Sequence, residues 1–173
     1  MKVEFYNIKV REAVLSDAAA LADILCCSWS SAFSEILTAD ELVKNVNLQK
    51  RTEMFENILK IDGLHNLIAI DGDNPWGLCS YGKSRDNDLS DYGEIIAIHT
   101  KPECWGKGVG NVLMDTAISE LRRLGYIKIM LWTFEENYRA RHFYEKYGFV
   151  SDGMIKGSGF ANAKEIRYRL ELN

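Results

Sequence analysis

No Cys-x-x-Cys pair occurs in this chain, which removes the usual sequence framework of a zinc site or a dithiol redox centre. The four cysteines are Cys26, Cys27, Cys79 and Cys104. The adjacent Cys26 and Cys27 fall on an expected helix and cannot both face one metal, so reduced thiols are expected. Histidine is scarce as well. His65, His99 and His142 lie far apart without ligand spacing, and no metal is expected. The formal net charge is −4, with no block of like charges, so a nucleic-acid footprint is absent. No apolar run reaches membrane-spanning length, which excludes a spanning helix. The start, Met1-Lys-Val-Glu-Phe, lacks a signal-peptide pattern, and a cytoplasmic location is expected.

What remains is an ordinary globular composition. Of 173 residues, 47% are hydrophobic and 27% charged, enough for one domain with a real core. No repeat, low-complexity tract or linker divides 1–173, so a single α+β domain is expected.

Hydrophobic periodicity orders the elements. Ile8 to Val14 alternates and reads as a strand. Ser16-Asp17 offers an N-cap for a helix to about Ser28, with Leu21, Ile24 and Leu25 inward. A helical region from Ala39 to Lys60 is expected to break near Asn45 to Asn47. Leu67 to Ile70 and Trp76 to Lys83 form a hairpin around the turn cluster Asp71-Gly-Asp-Asn-Pro75. Arg85 to Asp91 is a polar loop. Tyr92 to Thr100 is apolar on both faces in its middle and is therefore central in its sheet. Gly108 to Leu124 is an amphipathic helix with Val109, Val112, Leu113, Ala117, Leu121 and Leu124 on one face, stopped by Gly125. Lys128 to Thr133 is a strand, and Tyr138 to Tyr147 a helix closed by Gly148. Phe149-Val150 and Glu165 to Leu172 read as the last two strands.

The most informative stretch is Cys104-Trp-Gly-Lys-Gly-Val-Gly110, set between a buried strand and a helix. Glycines let the backbone approach a ligand closely. A helix N-terminus presents free N–H groups and partial positive charge. Together they suit a phosphate group. A Walker A loop is disfavoured because Lys107 is followed by Gly108 rather than Ser or Thr, and a dinucleotide fold because the spacing is Gly106-x-Gly108-x-Gly110 with no preceding βαβ repeat.

This loop, followed by Asn137-x-Arg-Ala-x-x-Phe-Tyr-Glu-Lys-x-Gly-Phe149, resembles the GNAT superfamily of acetyl-CoA-dependent N-acetyltransferases. Ile8-Lys-Val-Arg-Glu-Ala and Ser28-Trp-Ser-Ser-Ala-Phe33 resemble that family's first strand and helix, so the likeness covers nearly the whole chain. It departs at Trp105, where the family usually has Gln or Arg. The resemblance implies one GNAT-like α+β domain, with a mixed, mostly antiparallel sheet of about seven strands flanked by helices on both faces.

It also implies functional roles. Trp105, Gly106, Lys107, Gly108, Val109 and Gly110 would hold the pyrophosphate of coenzyme A, largely through backbone N–H groups. Ile98, His99 and Thr100 would end a splayed central strand whose free backbone groups bond the pantetheine arm. Asn137 would bond the same arm, and it can also cap its helix. Tyr144 would assist the departing thiolate. Glu94, eleven residues before Trp105, matches the offset of the base glutamate in the histone-acetylating members. A carboxylate suits proton removal from an amine. His99 is a second candidate base, on the opposite face of the strand unless a bulge intervenes. Trp29 and Phe33 fall where the family builds its acceptor pocket. With Trp76 and the acidic Glu35, Asp40 and Glu41, they suit a cationic or aromatic small amine.

The expected activity is transfer of acetyl from acetyl-CoA to a primary amine of a small molecule, by direct attack in a ternary complex and without metal. The alternatives are a protein N-terminal or lysine acetyltransferase and a non-catalytic acyl-CoA-binding module. A homodimer is common among similar proteins.

Overall fold

A computed structural model describes residues 7–172. Seven strands form one sheet in the order β1-β2-β3-β4-β5-β7-β6. The strands are β1 (Lys9–Glu12), β2 (Leu64–Asp71), β3 (Asn74–Lys83), β4 (Gly93–Thr100), β5 (Lys128–Phe134), β6 (Val150–Gly157) and β7 (Lys164–Glu171). All neighbouring pairs are antiparallel except β4 with β5. The expected mixed sheet is therefore present.

Five α-helices accompany it: α1 (Ala18–Ala32), α2 (Ala39–Asn45), α3 (Leu48–Ile58), α4 (Val109–Arg123) and α5 (Tyr138–Lys146). Leu21, Ile24 and Leu25 of α1 pack with Phe55 of α3 on Ile68 and Leu78. On the other face, Leu113, Met114, Ala117 and Leu121 of α4 and Tyr144 of α5 pack on Cys79, Tyr81, Ile95 and Leu131. Each sheet face thus has its own core, as helices on both sides require.

Several boundaries differ from the sequence reading. Strand β1 stops at Glu12 because the Val14 N–H donates to the Asp17 carboxylate at 2.8 Å rather than to the sheet. That carboxylate also takes the Arg11 fork at 2.7 and 2.9 Å, so Asp17 ties down a short 3₁₀ turn instead of capping α1 with its side chain. Helix α1 continues to Ala32, which places Trp29 on it. The break between α2 and α3 lies where expected, and Asn47 caps α3 through the Lys50 N–H. On α4 the buried stripe includes Met114, while Val112 and Leu124 are exposed. Strand β6 is far longer than Phe149-Val150. It is a largely exposed edge strand without apolar alternation, so periodicity could not reveal it.

Candidate acetyl-donor and acceptor cleft

The site begins with a strand that leaves its neighbour. β4 pairs with β5 only where Gly93, Glu94 and Ile95 meet Ile129, Met130 and Leu131. Beyond that, β4 stays with β3, up to Thr100 opposite Gly77. The register slips between Ser80 and Tyr81, so Ile96 is an extra residue in β4. Such a bulge bends a strand and re-aims its side chains. From Ile96 onward the β5-side edge of β4 therefore has backbone groups without a strand partner, as the resemblance implied. They border a cavity of about 990 Å³.

One end of the cavity is the glycine loop. Gly106 and Gly108 have φ of +72° and +87°, and Gly108 is the N-cap of α4. A Cβ on Gly108 would meet no protein atom within 4 Å, so its side lies open. Gly110 is different: a Cβ there would touch the Phe143 ring at 3.6 Å. Val109 is fully buried and anchors the first turn of α4 in the core, while Lys107 is exposed.

Trp105 does not turn outward as a free side chain. Its indole N–H donates to the Thr100 carbonyl at 3.0 Å, and the Arg139 guanidinium lies over its ring. Arg139, on the first turn of α5, lines the cavity beside the loop. The sequence reading gave the Arg139 side chain no role.

Asn137 is the N-cap of α5, as expected, and accepts from the Ala140 N–H at 3.2 Å. Both Asn137 and Tyr144 line the cavity. Burial pushes the Tyr144 phenol above its usual range, because it disfavours the phenolate. The group stays protonated and able to donate.

Glu94 is only 1% exposed. Its carboxylate accepts from the Arg85 backbone N–H at 2.9 Å and from the Arg85 guanidinium at 2.6 Å. Arg85 lines the cavity; Glu94 lies behind it. The polar loop carrying Arg85 is itself fastened. Arg167, 4% exposed, holds Asp86, Asp88 and Asp152 at 2.8–3.0 Å, and the Trp132 indole also donates to Asp86. None of these partners follows a sequence period, so only the fold could assemble them.

The bulge decides the position of His99. Ile95 and Ile98 pack in the α4 core, whereas Ala97 packs in the α1 core. His99 meets Ser28 of α1 through Nδ1 at 3.0 Å. The extra residue thus puts Glu94 and His99 on the same face, where strict alternation would have separated them. His99 lines the cavity and is pushed down to about 4, by desolvation first and then by Arg51 and Arg139. It is neutral at neutral pH.

The far end lies beneath α1 and α3. Trp29 and Phe33 are there, edge-on to one another at 5.1 Å, and Phe134 and Phe160 complete an aromatic wall. The two pocket residues expected from sequence are therefore brought together. The expected acidic surroundings are not. Glu35, Asp40, Glu41 and Trp76 do not line the cavity. Glu41 instead closes a capping box with Thr38 and holds the Ala161 N–H. Arg51, which the sequence reading passed over, lines this end. Among the described residues no group of three or more His, Cys, Asp or Glu gathers at metal-binding distance. No described helix is long and apolar enough to cross a membrane.

A splayed central strand, a glycine loop at a helix start and a cavity joining them define an acyl-coenzyme A transferase of the N-acetyltransferase class. The chain belongs to the acetyltransferase (GNAT) family, whose profile matches residues 20–149. Among curated relatives, it is 28% identical over 169 residues to a protein of Mycobacterium tuberculosis described as a probable N-acetyltransferase, covering 95% of this chain and 94% of that one. It is 37% identical over 89 residues to the mycothiol acetyltransferase of Propionibacterium freudenreichii, a match spanning 50% of this chain but only 27% of that relative. The PaiA N-acetyltransferase of Thermoplasma acidophilum, solved in complex with coenzyme A, shares the fold with a TM-score of 0.82 at 18% identity, over 96% of this chain and 99% of that one.

Proposed function

We propose that this protein moves an acetyl group from acetyl-CoA to the primary amine of a small molecule, by direct attack in a ternary complex. The observation that carries this reading is a continuous cavity of about 990 Å³ that joins the glycine loop to an aromatic pocket walled by α1 and α3. A concave pocket walled by helices and aromatic rings suits a compact acceptor better than a protein chain.

In this reading the amine nitrogen attacks the thioester carbonyl. The C–N bond forms and the C–S bond breaks. A backbone N–H of β4 beyond Ile96 holds the developing oxyanion. The surplus amine proton goes to Glu94 through water, because Arg85 stands between that carboxylate and the cavity. Tyr144 donates to the leaving thiolate. A specific observation favours His99 as a second proton acceptor: it lines the cavity and is neutral. An acyl-cysteine route is disfavoured. The Cys104 thiol lines the cavity, but burial pushes it up, away from the nucleophilic thiolate.

The test is thiol release from acetyl-CoA across a panel of small amines and peptides, with products identified by mass. Acetylation of small amines supports the reading. Turnover confined to peptide N-termini or lysines, or no turnover at all, overturns it.

A further inference from the structure

The far end of the cavity contains an unmatched cation. Arg51 is half-buried and carries no carboxylate partner among the described residues. Its Nε donates to the Asn45 carbonyl at 2.7 Å, one terminal nitrogen to Asn45 Oδ1 at 3.1 Å and the other to Met54 Sδ at 3.2 Å. A guanidinium has five N–H groups, so two remain. The three used contacts are all to neutral atoms, the weakest available match for a partly desolvated cation. Arg51 lies over the Trp29 ring at 5.0 Å, and the indole N–H of that ring is buried without any acceptor. Positive charge and spare donors therefore meet at one wall of the pocket, beside the aromatic groups of Phe33, Phe134 and Phe160.

We propose that the acceptor amine also carries a carboxylate, which Arg51 binds, so that the substrate is an amino acid or a close derivative. This rests on the acetyl-transfer reading above and names its substrate class. The planar fork of Arg51 matches a carboxylate. The aromatic wall takes the substrate's apolar side chain. The acceptor amine is drawn into a region whose charge disfavours its protonated form, which leaves more of it as the neutral nucleophile. A purely cationic amine would meet the same charge as repulsion. Among the described acidic residues only Glu165 lines the cavity, and it pairs with Lys156 at 3.7 Å; Glu35, Asp40 and Glu41 lie outside.

The test compares free amino acids with their amides, which have the same skeleton and no carboxylate. Thiol release from acetyl-CoA is measured for each pair. At least one acid is expected to exceed its amide by about tenfold or more in kcat/KM, the scale of a charge-assisted bidentate contact. Arg51→Gln should collapse that ratio through KM of the acid while leaving coenzyme A affinity unchanged. Because Arg51 also ties α3 to the end of α2, Arg51→Lys serves as the folded control and should keep only part of the ratio. Calorimetry of N-acetyl amino acids against N-acetyl amino acid amides, on the coenzyme A-loaded protein, reads the same preference without turnover. Tighter binding of an acid with no turnover from any amine would sink acetyl transfer and keep the carboxylate site. Turnover or binding in which no acid surpasses its amide, or an acid preference unchanged in Arg51→Gln, overturns the carboxylate site.

Discussion

The guanidinium of Arg139 lies 3.4 Å from the centroid of the Trp105 indole. The two residues come from different elements, the loop before α4 and the first turn of α5. Trp105 stands where the resemblance to the family would place Gln or Arg, and the stacked Arg139 brings a cation to the same place from α5. If Trp105 acts as a shelf for that cation, Trp105→Gln should weaken coenzyme A binding by only about 0.5–1 kcal/mol, the scale of a cation–π contact at an exposed site. The loss should disappear in an Arg139→Ala background, where there is nothing left to support. Calorimetry on the four proteins of the cycle measures it. Additive losses would show that the indole meets the ligand by itself.

Gly108 and Gly110 should behave oppositely. At φ +87°, Gly108→Ala forces a side chain into the left-handed region, at a cost of about 1–2 kcal/mol, and points a Cβ into the open side of the loop. Both melting temperature and coenzyme A affinity should fall. Gly110→Ala puts its Cβ in ordinary contact with Phe143 and replaces a helical glycine, which should stabilise by about 0.5–1 kcal/mol without loss of affinity. Thermal melts and calorimetry separate the two. Equal loss of affinity in both variants would contradict this division of roles.

His99 should make the protein acid-sensitive. Its folded value of about 4 lies below the unfolded value of about 6.5. Between these values the unfolded chain binds more protons, so stability is full above pH 6.5 and is lost as pH falls toward 4. The displacement is worth about 3 kcal/mol at most. Urea denaturation at pH 7, 6 and 5 should show this slope, and His99→Gln should flatten it. An unchanged slope in the variant would place the acid sensitivity elsewhere.

The two proton-transfer roles separate by pH. Glu94→Gln keeps the side-chain shape but removes the charge facing Arg85. Turnover should drop by about 10²- to 10⁴-fold if Glu94 is the base, and the deficit should shrink at high pH as more acceptor is already neutral. Tyr144→Phe removes the hydroxyl, and its deficit should persist at high pH. Coenzyme A affinity should hold in Glu94→Gln. Near-parental turnover in that variant, with a large loss in His99→Gln, would transfer the base role to His99.

The particular elements explain what could be read in advance. Helix α4 and the glycine loop were legible because one short segment holds both the apolar period and the residues with special backbone freedom. The same is true of Asn137 with Tyr144 on α5. The hairpin β2–β3 announced itself through its turn cluster. Strand β6 did not, because an exposed edge buries too little to impose a pattern. The side chains of Arg51, Arg85 and Arg139 were assigned no role because an isolated arginine looks the same in sequence whether it faces solvent or a cavity.

The sequence by itself determined the class of this protein: the order of strands and helices, the loop built to approach phosphate, and the motif that closes the chain around it. These rest on local spacing, which the backbone translates directly into a face or a turn. The tertiary structure alone decided the chemistry between the two ends of the cavity. One extra residue at Ile96 put His99 on the face of Glu94. The fold set Arg85 across that carboxylate and brought an unmatched Arg51 over Trp29. Such pairings join residues distant in the chain, and their energies depend on burial and mutual distance, which no local pattern specifies.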